Sequence, residues 1–265
     1  MKLTDIRQQN NQIQIFSSGL KSLDKPLAGG FHRGDLISVW STPLMGTTAF
    51  LLSTAYYMAR QNIKVLYLTE QNIENWILPR FKASLNKLNF TATDIPLFFE
   101  TVLRFNNNIL ENLYKKSEPD MIILDIKPNL QVYNRKLLKD LKSTAHKFNT
   151  AIIITTTVQN MNPDKLLNIE DLWKGSLNKK LFDSSDTVLT LYRKIWSLEN
   201  ISFNKSTNKE TIIKWQEEID YYKHRIDVLC YKNIHGNSLW RRHFYFEDCA
   251  FVTDKIPVKI YNPEV

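Results

Sequence analysis

Two cysteines, Cys230 and Cys249, are all that 265 residues carry. They lack metal-ligand spacing, which excludes a zinc site built on cysteine pairs and leaves two reduced packing residues of a cytosolic protein as the expectation. Long apolar runs are missing too. None approaches the roughly 20 residues that a bilayer span requires, so no membrane partner is expected. The first ten residues, Met1 to Asn10, are polar and hold no apolar core for a secretory signal, and the expected location is cytoplasmic. Acidic residues fall short of basic ones, giving a net charge of +8. That excess favours an anionic partner such as nucleic acid, and it fits a solubilising surface equally well.

What is present is ordinary in bulk. Apolar residues at 43% and charged residues at 23% place the chain among globular proteins able to bury a full core. The organising stretch is Asp35 to Phe50. Leu36 to Trp40 reads as a buried strand, followed by a short loop and a helix with an apolar face of Ala49, Leu52, Ala55, Tyr56 and Ala59. A strand turning through a Gly-bearing loop into a helix is the frame of a phosphate-binding loop, G-x-x-x-x-G-K-[ST]. In such a loop, backbone N–H groups and the helix N-terminus hold phosphates while a lysine neutralises them. Ser41 takes the first glycine position, Thr42, Pro43, Leu44 and Met45 fill the loop, and Gly46 is the second glycine. Thr48 takes the magnesium position, but the lysine is absent, because Thr47 stands in its place.

Around this stretch, strands are predicted at 64–68, 96–99, 120–124, 150–156 and 187–191, with helices at 47–61, 73–87, 107–116 and 133–148. That alternation predicts an α/β fold, a mainly parallel sheet covered by helices on both faces. Its ligand crevice would lie at the carboxyl ends of the strands. Residues 1–15 read as a flexible arm and 16–265 as one domain. Within it, 196–224 reads as an insertion bearing a helical face of Ile212, Ile213, Trp215, Ile219 and Tyr222. Residues 226–231, 239–246 and 250–252 read as C-terminal antiparallel strands, with a hairpin at Asn233 to Ser238.

Three runs in order, Ser18-Gly-Leu-Lys-Ser-Leu-Asp24, Gly29-Gly-Phe-His-Arg-Gly-Asp-Leu36 and Pro43-Leu-Met-Gly-Thr-Thr-Ala-Phe50, closely resemble the RecA-like motor domain of DnaB-type replicative DNA helicases. The similarity continues at Asp171-Leu172, Gly175-Ser176, Asp186, Tyr192-Arg193, Lys232 and Gly236, and covers roughly residues 16 to 254. It implies a RecA-like P-loop NTPase fold, ATP and Mg²⁺ as cofactors, and assembly as a ring around single-stranded DNA. It also implies roles for residues. Asp125, closing the apolar run Met121 to Leu124, would anchor magnesium with Thr48; it also fits a local turn at a strand end. Glu70 would activate the attacking water; it equally fits a charge stabilising the next helix. Lys232 would reach a neighbouring subunit's phosphates.

Departures from the family pattern fall in three separate parts of one reaction. Thr47 replaces the loop lysine, Thr157 the glutamine that senses the γ-phosphate, and Ile234 the arginine finger. A charge-assisted contact such as the lysine's is worth roughly 1.5–3 kcal/mol, and an arginine finger a factor of about 10³ or more in rate. Efficient ATP hydrolysis is therefore expected to be lost, with ATP and Mg²⁺ held weakly or residues 41–48 serving as a plain strand–helix turn. DNA contact is expected from Trp173, Lys174, Lys179 and Lys180, in a stretch where the family places a channel loop. A basic helix face with Arg135 and Lys136 is the other candidate. The expected role is a replication-associated protein that binds single-stranded DNA, a replicative helicase or copies of itself. Two alternatives stand beside it: an active helicase with a substitute cation, and an adaptor docking through Trp215.

Overall fold

The computed structural model describes residues 15–87, 95–102, 106–126, 135–158, 170, 172, 176–204, 207–247 and 251–254. Trp173, Lys174 and Cys249 lie outside them, as does the arm expected over 1–15, except for Ile15. Ile15–Phe16 (β1) pairs antiparallel with Phe31–His32 (β2). The short helix Lys21–Asp24 (α1) lies between them.

Leu36–Ser41 (β3) is buried at every position. Such a run, apolar on both faces, is what a central parallel strand requires. Ile37 and Val39 point into one apolar cluster, Leu36 and Trp40 into the other. The first cluster packs on Thr47–Ala59 (α2), the second on Asn107–Ser117 (α4), Arg135–Phe148 (α5) and Ser176–Ser184 (α6). Helices therefore cover both faces.

The remaining strands are Val65–Thr69 (β4), Leu97–Thr101 (β5), Met121–Asp125 (β6), Ala151–Thr157 (β7), Thr187–Tyr192 (β8), Arg225–Asn233 (β9), Trp240–Glu247 (β10) and Phe251–Thr253 (β11). The sheet has nine strands in the order β11-β10-β9-β8-β3-β7-β6-β4-β5. From β8 to β5 all pairs are parallel; from β8 outward to β11 they are antiparallel. This is the α/β arrangement expected, with strand ends displaced by one or two residues.

Three local expectations are corrected. Helix α2 is buried on nearly every side, not along one stripe, because β11 covers its far side and the Val252 N–H donates to Ser53 Oγ at 2.7 Å. The helix expected over 73–87 opens with a π-turn, Ile73–Ile77, before Leu78–Lys87 (α3). Residues 176–180, read as loop, begin α6, whose Leu181 and Phe182 are buried while Lys179 and Lys180 are exposed. Beyond β8, Lys194–Glu199 (α7) and Lys209–Tyr222 (α8) follow, and none of α8's residues is buried. Trp215 faces its own chain: its Nε1–H donates to the Leu198 carbonyl at 2.9 Å and its ring meets Phe203 edge-on. Its apolar neighbours Ile212 and Ile213 on the same helix stay exposed. Among the described residues, no helix is long and apolar enough to cross a membrane.

One buried carboxylate ties the central strand in place. Asp186 Oδ2 accepts the Leu36 N–H at 2.8 Å and pairs with the Lys142 ammonium of α5, while the Asp186 N–H donates to the Leu36 carbonyl at 2.8 Å. Asp186→Ala leaves a buried N–H without an acceptor and Lys142 without its anion, and is expected to lose about 3 kcal/mol of stability. Urea unfolding checks this, and Asp186→Asn, which keeps an acceptor for Leu36, should recover part of the loss.

Candidate functional site

The parallel strands end along one edge, and that edge collects most of the predicted site. Ser41 at the end of β3 lies beside Thr157 of β7 and Leu191 of β8, and Thr69 of β4 lies beside Asp125 of β6. Glu70 follows Thr69 and is exposed. The loop 42–46 leaves β3 here and enters α2.

The loop's backbone is set by two left-handed residues. Gly46, at φ 85°, is the N-cap of α2, and no side chain caps the helix. Its first N–H groups are therefore directed at the loop, the arrangement that receives an anion. A Cβ at Gly46 would sit 2.4 Å from Phe246 Cζ of β10. Leu44, at φ 69°, adopts a conformation uncommon for a non-glycine residue, and its side chain is 65% exposed. Next to it Met45 is buried, and its Sδ accepts the Arg193 N–H at 3.2 Å. The loop is thus braced from behind by β8 and β10.

Where the motif requires an ammonium, the structure has a pair of hydroxyls. Thr47 Oγ1 lies 2.7 Å from Ser41 Oγ, so the two ends of the loop close on each other. Thr48 and Asp125 are brought together, near enough for the Thr48 hydroxyl to act on the Asp125 carboxyl. The Tyr67 hydroxyl, which sequence reasoning missed, also donates to Asp125 Oδ2 at 2.7 Å. Burial pushes the Asp125 carboxyl above the ordinary carboxylate range, against hydrogen bonds from Tyr67 and Thr48 that lower it. Burial, with Asp125 beside it, also raises Tyr67 well above the usual phenol value, which keeps its hydroxyl a donor. One hydroxyl and one carboxylate side by side fit the donor set of a hydrated magnesium ion. The residues that would hold it are Thr48 and Asp125.

Lys232 lies elsewhere. It pairs with Val188, three residues before Leu191, which puts it about 10 Å down the sheet toward the opposite edge. Its ammonium donates to the Phe182 and Asp183 carbonyls at 3.2 and 3.0 Å, and burial lowers its pKa. Ile234 is exposed on the hairpin. His235 there stacks on His32 with ring centroids 3.8 Å apart and meets Asp35 at 2.9 Å. Cys230 is buried and its thiol is pushed up to about 12, the behaviour of a packing residue.

The run Ser17 to Asp24 has a structural role. Asp24 accepts from Ser17 Oγ at 2.6 Å and from the Ser18 N–H at 2.8 Å. Gly19, at φ 79°, lies so close to α2 that a Cβ would stand 2.2 Å from Tyr57 Cβ.

Comparison with known proteins supports the fold independently. The structure resembles a DnaB-like replicative helicase solved with attention to its interactions with primase, at a TM-score of 0.70 and 16% identity, covering 94% of this chain and 64% of that one. It resembles a second solved structure, an ATPase domain, at a TM-score of 0.67 and 16% identity, covering 94% of both chains. The fold is accordingly that of the RecA-like motor domains of DnaB-type helicases. In sequence, the chain is 27% identical over 165 residues to the DNA repair protein RadA of Campylobacter jejuni, and 35% identical over 102 residues to RadA of Chlamydia pneumoniae. It spans 33% and 21% of those relatives' lengths. No family model matches.

Two stability measurements test the site. A carboxyl whose folded pKa is raised holds its proton more tightly in the native state, so its ionisation lowers stability as pH climbs from the unfolded value of about 3.9 through the raised folded one. Asp125→Asn should therefore melt at a higher temperature than the parent at pH 7, with the gap narrowing toward pH 4; a lower Tm at pH 7 refutes the assignment. Gly46→Ala combines a left-handed φ with overlap on Phe246 and should lose about 2–4 kcal/mol, read by the same thermal melts.

Proposed function

We propose that this protein works by binding single-stranded DNA in replication, alone or on a helicase ring, and not by hydrolysing ATP. The observation that carries the reading is Thr47: the loop keeps its backbone cradle and the uncapped helix N-terminus, but a neutral hydroxyl tied to Ser41 stands at the cation position. Phosphoryl transfer places its catalytic demand on charge neutralisation and positioning, with little covalent chemistry for the protein to perform. A cradle of N–H groups can still take up a phosphate weakly, with Thr48 and Asp125 as the residues for a magnesium ion that would neutralise phosphate oxygens. Glu70, Thr157 and Ile234 do not restore what the loop lacks. The names of the relatives, a replicative helicase and a DNA repair protein, support DNA as the partner. Ring self-association and a cytoplasmic location belong to the same reading.

One observation favours a second reading. Lys232 sits toward the far edge of the sheet from its own loop, and its ammonium would have to leave the Phe182 and Asp183 carbonyls to meet a neighbouring copy's phosphates in a ring. A cation supplied between subunits would then make the chain an active translocase.

Phosphate release from ATP–Mg²⁺, measured with and without oligo(dT), tests the first reading. The expected result is no DNA-stimulated turnover; rates comparable with ring helicases refute it. Thr47→Lys separates the two readings. Under the first, nucleotide affinity measured by calorimetry should rise about tenfold or more, the worth of one charge-assisted contact; an unchanged affinity favours the second.

A further inference from the structure

The outer end of the sheet carries a second group of charges. Along β9 and β10 the register pairs Arg225 with Tyr245, Asp227 with His243 and Leu229 with Arg241, so these six side chains share one face. The intervening residues Ile226, Val228, Cys230 and Phe244 are buried in the core on the other face.

At the centre of the outer face is Asp227, whose side chain is 2% exposed. Its Oδ1 accepts from Arg225 Nε at 3.1 Å and from His243 Nδ1, and its Oδ2 accepts from Arg241. Burial acts to raise this carboxyl, but the hydrogen bonds from His243, Arg241 and Arg225 outweigh it and hold Asp227 below the ordinary range. One anion thus faces two guanidinium groups and an imidazole, which leaves the cluster positive. Arg225 is fully engaged, since its NH1 also donates to the Tyr221 hydroxyl at 2.7 Å. Arg241 and His243 are not enclosed, with side chains 37% and 43% exposed, but both His243 ring nitrogens are used within the cluster, Nδ1 on Asp227 and Nε2 against Arg225 Nη2 at 2.7 Å. Asp227 therefore fixes one side of the Arg241 fork and leaves the rest toward solvent. Tyr221, 61% exposed, flanks the cluster with the Arg225 guanidinium 5.3 Å from its ring centroid. The nearby Glu218 is paired with Lys194 at 3.0 Å.

The position matters as much as the charge. Asp227 pairs with Tyr192 and Val228 with Leu191, the residue that also pairs with Ser41. The cluster is consequently level with the phosphate-binding loop, at the same carboxyl edge, with β9 two and β10 three strand spacings from β3, about 10 and 14 Å.

We infer that the β9–β10 face binds the phosphate backbone of a nucleic-acid strand, with the Arg241 guanidinium as the group that meets it and His243 holding Asp227 beside it. The inference rests on the DNA-binding reading above and gives that reading a location. A guanidinium fork held from behind suits two oxygens on one phosphorus. An exposed tyrosine beside it offers a stacking surface for a base, which an acidic peptide would not use.

Fluorescence anisotropy with labelled oligo(dT), titrated at several salt concentrations, tests this. The double variant Arg241→Gln/His243→Gln should bind roughly tenfold more weakly, and the salt slope should fall by about 0.7 for each phosphate no longer neutralised. Lys214→Gln on α8 should bind as the parent does. Because the double variant removes donors from a buried carboxylate, Leu229→Glu provides a second test: it adds a negative charge to the same face, leaves the Asp227 donors in place, and should also weaken binding. No binding by the parent overturns both this surface and the DNA-binding reading. Parent-like binding by both variants overturns the surface alone. Stronger binding of poly-glutamate than of oligo(dT) overturns the assignment to nucleic acid.

Discussion

Strand β3 is hydrogen-bonded on both sides, to β7 and to β8, and its last residue begins the loop. Everything of functional interest depends on that central placement. A parallel strand in mid-sheet has no freedom to shift register, since one residue of slippage would turn its buried side chains to the wrong face. The Asp186 carboxylate adds a second constraint at the strand's start by accepting the Leu36 N–H. Held at both ends, β3 delivers Ser41 beside Thr157, with β7 between it and β6, so that Thr48 comes near Asp125. The geometry of a nucleotide site follows from the sheet and does not need the chemistry of one.

That separation explains how the loop tolerates a neutral residue. In a working phosphate loop the ammonium group answers the ligand's charge, not the protein's own. Its replacement by Thr47 leaves no buried anion uncompensated, because the Thr47 hydroxyl finds Ser41 and Asp125 is served by Tyr67 and Thr48. The bracing from behind, Phe246 under Gly46 and Met45 against the Arg193 N–H, is independent of any ligand. Asp125 differs. Burial disfavours its charged form, the kind of perturbation that clusters at functional sites.

The strands were legible because burial on both faces makes them short, mainly apolar runs: β3, β6 and β7 are apolar apart from Ser38 and end in polar residues. The loop residues and Asp125 were legible for the same reason, since they follow directly from strand ends. Other features depend on pairing that no local pattern encodes. Tyr67 reads as one more apolar residue of β4 until the register sets it beside Ile123, from where its hydroxyl reaches Asp125 two residues on. Asp227 and its cations are scattered over 225–243 and share a face only once β9 and β10 are paired. Helix α6 escaped because a Gly-Ser entry followed by lysines looks like loop when its buried Leu181 and Phe182 are not yet known to face a sheet. The bend at Ile73–Ile77 is a π-turn, a departure of one residue from helical spacing that periodicity does not resolve.

A residue can match a motif for reasons that have nothing to do with its ligand. The run Ser17 to Asp24 matches as well as the loop does, yet its atoms are occupied internally: Ser17 and Ser18 bond Asp24, and Gly19 is needed for the close approach to Tyr57. Gly46 is likewise required by backbone conformation and by the ring beneath it. Such positions hold whether or not the site turns over, because a substitution there damages the fold first. Thr47, Thr157 and Ile234 carry no comparable packing demand: two are hydroxyl residues at the sheet's edge, and one lies exposed on a hairpin. The matches at Gly19, Asp24 and Gly46 thus fall where structure constrains the residue, while Thr48 and Asp125 match at positions that packing alone does not explain.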